Sequence, residues 1–121
     1  MSDGLVLFAH GSRDPGWADP FRAVQRKVSS KKPALTVELA FLQLMEPSLT
    51  EVVDRLVASR HTRLTIAPLF MAEGAHLKRD LAELMTRLQE RHGRLQLKLL
   101  PAAGEVDAVL DAISTWAASS V

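Results

Sequence analysis

Apolar residues occur along this chain in eight groups that alternate between two spacings. Leu5-Val6-Leu7-Phe8-Ala9 is apolar throughout and stops at His10-Gly11, as a strand buried on both faces does. Trp17, Phe21, Val24 and Val28 then recur at intervals of four, three and four, which predicts one face of a helix. Leu35-Thr36-Val37-Glu38-Leu39-Ala40-Phe41 alternates with a period of two, predicting a strand with one wetter face. Ser48-Leu49-Thr50-Glu51 has the form of a capping box. Leu49, Val52, Val53, Leu56 and Val57 give that second helix its buried face. Leu64 to Phe70 is a third, nearly continuous apolar strand. Leu77, Leu81, Leu84 and Leu88 mark a third helix, which His92-Gly93 should stop. Leu95, Leu97 and Leu99, with Gln96 and Lys98 between them, predict a fourth, alternating strand. Val106, Val109, Leu110, Ile113 and Trp116 predict a last helix. Met45, Met71 and Met85 are expected to fill gaps in the core.

The fold class follows. Strands one and three, continuous in apolar residues, belong in the centre of a sheet, and strands two and four at its edges. With right-handed crossovers the order is 2-1-3-4, all parallel. The expectation is an α/β fold in three layers, with helices on both faces and one domain over residues 1–121. The chain reverses direction between strands one and three, and ligands of such sheets bind beyond the carboxyl ends of the strands at that reversal. The loops after Ala9 and after Phe70 therefore matter most.

Composition narrows the function classes. Lys and Arg number 15 against 14 Asp and Glu, a formal charge of +1, which predicts neither a nucleic-acid surface nor an acidic tail. A hydrophobic fraction of 47% is too high for a disordered chain. The apolar runs fall well short of the roughly 18 residues of a membrane span. Zero cysteines exclude a disulfide framework, iron–sulfur ligation and thiol catalysis, and agree with a reducing cytoplasm. Met1-Ser2-Asp3-Gly4 lacks the basic start of a secretory leader, so a cytoplasmic location is expected.

Two of the four histidines fall on the selected loops. His10 opens His10-Gly11-Ser12-Arg13, and His76 closes Glu73-Gly74-Ala75-His76 where the third helix should begin. Adjacent strands lie roughly 5 Å apart, so side chains at neighbouring strand ends can converge on one ion. Neutral imidazole ligates divalent transition metals, and a helix start favours the neutral form at His76. Gln43 and Glu46 sit in the loop leaving the second strand, on the same rim. There Glu46 either ligates or accepts a proton, or serves only first-turn electrostatics. Glu73 has the same two readings, and Asp80 can cap or pair locally. Arg13, Lys78 and Arg79 place positive charge on the rim, suited to an acidic substrate or to solvation alone. Ser12 lacks a nucleophile-elbow pattern, and Gly4 and Gly11 lack phosphate-loop spacing. His61 and His92 lie away from the rim and are expected to be solvated.

Three ordered segments carry a resemblance: Phe8-Ala9-His10-Gly11-Ser12-Arg13, then Ala40-Phe41-Leu42-Gln43-Leu44-Met45-Glu46-Pro47-Ser48-Leu49, then Pro68-Leu69-Phe70-Met71-Ala72-Glu73-Gly74-Ala75-His76-Leu77-Lys78-Arg79-Asp80. Together, over residues 5–80, they resemble the short-form sirohydrochlorin cobaltochelatases, the half-length class II tetrapyrrole chelatases. The resemblance implies insertion of a divalent ion as substrate, typically Co²⁺ with Fe²⁺ or Ni²⁺ as alternatives, into sirohydrochlorin during cobalamin synthesis, without an organic cofactor. It implies that His10 and His76 hold the metal and accept protons, with Glu46 as an auxiliary acid–base group. Ser12, Arg13, Gln43, Lys78 and Arg79 become substrate-binding candidates, Arg13, Lys78 and Arg79 through the ring's carboxylates. It further implies a homodimer that imitates the two halves of the long enzymes, the ring held in a cleft. The chain departs from the pattern at Gln43, where many relatives carry an acidic residue. That departure motivates the alternative of a non-catalytic metal or tetrapyrrole binding protein.

Overall fold

A computed structural model describes residues 3–121; Met1 and Ser2, on which part of the leader reading falls, lie outside them. Four parallel strands form one sheet: β1 (Asp3–Ala9), β2 (Thr36–Phe41), β3 (Arg63–Pro68) and β4 (Gln96–Leu99), in the order β2-β1-β3-β4. Four helices alternate with them: α1 (Asp19–Lys31), α2 (Leu49–Ala58), α3 (Ala75–Arg91) and α4 (Asp107–Ala118). The predicted order is the observed one. Val6 and Phe8 of β1 point to one face of the sheet and Leu7 and Ala9 to the other, all 3% exposed or less, so β1 is the central strand its pattern implied.

The two faces differ. On one, α2 and α3 pack Leu49, Val52, Val53, Leu56, Leu81 and Leu88 against Val6, Phe8, Leu64, Ile66 and Phe70. This is the main core. On the other, Trp17 and Phe21 close over Ala9, Leu39 and Phe41 in a smaller cluster, their rings 4.7 Å apart. Trp17 belongs to a single 3-10 turn, Pro15–Ala18, that precedes α1. Asp14 caps that turn by accepting the Gly16 N–H at 3.0 Å. The capping box of α2 forms as predicted, Ser48 and Glu51 each accepting the other's backbone N–H. The Ser48 backbone N–H, then its side chain, holds the Glu51 carboxyl below the ordinary carboxylate value.

The last helix forms as predicted, with no residue of α4 buried. Three expectations need correction. Met71 does not fill a core gap; it is 58% exposed, and its neighbour Phe70, 1% exposed, takes the buried position beyond the end of β3. Met45 and Met85 do pack against the two clusters. His61 is half-buried: Nδ1 donates to the Leu56 carbonyl and Nε2 accepts from the Thr36 hydroxyl, both at 3.0 Å. His92 is tied to Asp54 at 2.7 Å. Both histidines close the amino end of the sheet onto α2, where a backbone carbonyl and a carboxylate needed partners.

Asp54 also receives Nε and Nη2 of Arg91, each at 2.8 Å, so one carboxylate joins α2 to the end of α3. Arg91 first, and His92 after it, hold the Asp54 carboxyl below its ordinary value. A depressed carboxylate stabilises the fold above its unfolded pKa, near 3.9, and loses that contribution as pH falls through the folded value. Urea denaturation of Asp54→Asn should show a loss of roughly 1 kcal/mol at neutral pH. The difference from wild type should shrink steadily below about pH 4.

Candidate active site

The site is built by strand pairing that continues past the strand ends. The Leu69 N–H donates to the Phe8 carbonyl at 2.8 Å on one side of β1, and the Leu42 N–H donates to the Ala9 carbonyl at 2.8 Å on the other. The next rung joins the Gln43 N–H to the His10 carbonyl at 3.0 Å. His10 is therefore fixed by its backbone although its side chain lies outside the core. Its ring packs on buried Phe70, centroids 4.3 Å apart and planes tilted by 41°; Phe70 in turn meets Phe8 at 5.8 Å. Contact through the ring's face leaves the two nitrogens free for chemistry.

Gly11 makes the turn possible. Its φ is +95°, and a Cβ there would lie 1.8 Å from the Gln43 carbonyl oxygen, so only glycine admits the close approach of the two loops. Ser12 Oγ accepts the Asp14 N–H at 3.1 Å, which gives the serine a loop-shaping task. In the neighbouring loop Leu44 holds a φ of 65° and is 54% exposed. That is an uncommon backbone state for a leucine, of the kind that concentrates at functional sites.

His76 is the second residue of α3, within its first turn rather than ahead of the helix. Its side chain is 87% exposed, and Nε2 lies 3.3 Å from Asp80 Oδ2, one turn along. A carboxylate on one nitrogen orients the ring and leaves the other to ligate. Lys78 Nζ reaches Glu105 Oε2 at 3.9 Å. Arg13, Gln43 and Glu46 are exposed on the same rim. Arg79 lines a shallow groove on the outer side of α3 with Ala82, Glu83, Thr86 and Arg87, the least converged of the candidates.

Among the described residues no group of three or more His, Cys, Asp or Glu is placed to hold a metal ion. Sequence reasoning missed Phe70 as the platform for His10, and Leu44 and Met71 as exposed apolar groups on this edge. The available signal was their position just past the ends of β3 and β2, where Phe70 is the last large apolar side chain to enter the core and Leu44 and Met71 stay exposed.

The fold is a doubly wound parallel domain whose switch point lies between β1 and β3. The chain belongs to the CbiX family, whose family model matches residues 4–119. It is 30% identical over 91 residues to the sirohydrochlorin cobaltochelatase of Methanococcus aeolicus, covering 74% of this chain and 64% of that one. It is 32% identical over 81 residues to that of Methanopyrus kandleri, covering 67% and 57%. The match thus spans about three-fifths of these relatives' length. Among solved structures, the CbiX protein from Marinobacter aquaeolei VT8 superposes with a TM-score of 0.85 at 28% identity, over 98% of this chain and 96% of that one. SirB from Bacillus subtilis subspecies spizizenii, solved in complex with cobalt, shares the fold: TM-score 0.80 at 23% identity, over 95% of this chain and 49% of that one.

Gly11→Ala should cost at least about 1–2 kcal/mol in urea denaturation, since it combines a left-handed backbone with a collision. Gly93→Ala, where a Cβ would meet nothing within 4 Å, should stay within about 0.5 kcal/mol of wild type.

Proposed function

We propose that this protein is a sirohydrochlorin cobaltochelatase, acting as a cytoplasmic homodimer that inserts Co²⁺ into a sirohydrochlorin-type ring. The observation that carries the reading is the His10 imidazole, seated on Phe70 at the carboxyl edge of the central strand pair, with His76 at the start of the helix that follows the neighbouring strand. Membership of the CbiX family, and relatives named for this activity, support it.

Insertion exchanges one divalent ion for two pyrrole protons. His10 and His76 hold the ion through their lone pairs and displace part of its water. When the ring takes the ion, those lone pairs are released and can each accept a proton, so ligand and base are the same atoms at successive moments. Asp80 orients the His76 ring. Glu46 supplies a carboxylate for relaying protons to solvent, a task Gln43 cannot perform. Leu44 and Met71 offer apolar surface to the ring's faces. Arg13 and Lys78, with Arg79 behind them, are charged to meet its peripheral carboxylates, while Ser12 and Gln43 shape the loop beneath. Two imidazoles bind Co²⁺, Ni²⁺ and Zn²⁺ alike, so the preference for cobalt, over Fe²⁺ or Ni²⁺, rests on the relatives' names. The rim is open on one side. A homodimer gives the ring its second wall.

Gln43 favours a second reading, a carrier that binds ring or metal without catalysis. Insertion assays with Co²⁺, Fe²⁺ and Ni²⁺, followed by the ring's absorbance change, separate the two. The proposal expects acceleration over the spontaneous reaction and a drop of about tenfold or more in His10→Ala and His76→Ala, the range of lost acid–base and metal-holding groups. Tight binding with no acceleration would establish the carrier, and folded variants at the wild-type rate would remove both histidines from the mechanism.

A further inference from the structure

Little in its own segment fixes His76. The Leu69 N–H still pairs with the Phe8 carbonyl, and Phe70 is buried. Beyond it, among the described residues, no backbone hydrogen bond holds Met71, Ala72 or Glu73. α3 then starts from Gly74, which has no side chain to cap it. Where α2 has a capping box, the first turn of α3 keeps unpaired N–H groups. Leu81 and Leu88 bury the body of α3, but both lie beyond that first turn. The course of the chain into it is set by a contact from elsewhere.

That contact comes from the connection after β4. The Leu100 N–H donates to the Ile66 carbonyl and the Gly104 N–H to the Phe70 carbonyl, each at 2.9 Å, so strand pairing resumes past the ends of β3 and β4. Position 104 requires glycine for space. A Cβ there would lie 1.5 Å from the Met71 carbonyl oxygen and 2.7 Å from its Cα. Backbone meets backbone, so neither side can give way by turning a side chain. One residue on, Glu105 Oε2 lies 3.9 Å from Nζ of Lys78, in the first turn of α3. The 3-10 turn Ala103–Glu105 thus holds the loop at both ends, at Met71 by contact and at Lys78 by charge. His76 lies between the two.

We propose that Gly104 is a positioning residue for His76: the turn it centres fixes the path of Met71 to Gly74, and with it the place of the His76 imidazole relative to His10. The inference rests on the reading of His76 as a metal ligand and deepens it. Phe70 is the common reference. Its ring carries the His10 imidazole, centroids 4.3 Å apart, and its carbonyl takes the Gly104 N–H. Two ligands from separate loops are thereby registered against one buried residue, as gripping a single ion between them requires. Glu105 contributes less, since an exposed ion pair is a weak restraint.

The test compares Gly104→Ala with wild type on two readouts. The first needs no metal: amide exchange by NMR at Lys78, whose N–H bonds to the Gly74 carbonyl at 3.1 Å. Exchange there should quicken about tenfold, as a helix end opens locally, while the Gln43 amide, bonded to the His10 carbonyl, keeps its wild-type rate. The second is Co²⁺ titration followed by visible absorption. Gly104→Ala should weaken Co²⁺ binding about tenfold, the lower end for groups that orient a ligand. His76→Ala/Gly104→Ala should bind no more weakly than His76→Ala alone, a non-additivity that general loss of stability does not produce. If Gly104→Ala does not fold, Glu105→Gln, on an exposed side chain, should move both readouts the same way by about two- to threefold, within the range of an exposed ion pair. Unchanged exchange at Lys78, quickening spread evenly over the sheet, or a further loss of Co²⁺ in the double variant would each overturn the proposal. A wild type that binds no Co²⁺ through imidazole defeats the metal reading alone, because exchange at Lys78 still decides whether Gly104 governs the turn that carries His76.

Discussion

The backbone ladder of β1 carries the rest of this structure. Because β1 is hydrogen-bonded on both sides, to β2 and β3, and its pairing runs on through Ala9 and His10 into Leu42 and Gln43, the backbone of His10 is held in place although its side chain lies outside the core. Phe70 adds the second constraint, a buried ring under the imidazole. Gly11 is the third, the one residue that lets two loops pass at carbonyl contact. Position at the sheet's carboxyl edge, ring orientation and freedom of the nitrogens all follow from these three.

The rim also shows how a neutral chain can assemble a charged, reactive edge. Total charge is +1, yet Arg13, His76 and Lys78 lie on the loops and first helical turn beyond β1 and β3, while acidic Asp54 joins α2 to the end of α3. On the proposed reading the metal ligands are few because an ion that must leave cannot be enclosed by three or four strong donors; His76, beside Asp80, and His10, on Phe70, would give grip without enclosure.

Much of this was legible in the sequence, for identifiable reasons. Continuous against alternating apolar runs separated β1 and β3 from β2 and β4, because burial on two faces leaves no polar position. The capping box placed α2, and the switch-point rule selected His10 and His76 before any resemblance was considered. What the sequence concealed was partnership. The spacing of Leu110, Ile113 and Trp116 declares an apolar face but not which surface covers it, and this chain's own sheet does not. His61 and His92 looked solvated because their partners, Thr36 and Asp54, lie 25 and 38 residues away. Met71 looked like core because strand ends are read from composition, and β3 ends three residues before it, leaving Phe70 buried and Met71 exposed.

The central claim is that His10 and His76 together ligate one divalent ion. X-ray absorption of the Co²⁺-loaded protein tests it without substrate. The account predicts two imidazole nitrogens in the first coordination shell, at roughly the 2.0–2.1 Å of biological metal–histidine bonds, with one lost in His10→Ala and one in His76→Ala. A shell of oxygen ligands alone, or one unchanged by both substitutions, would contradict it.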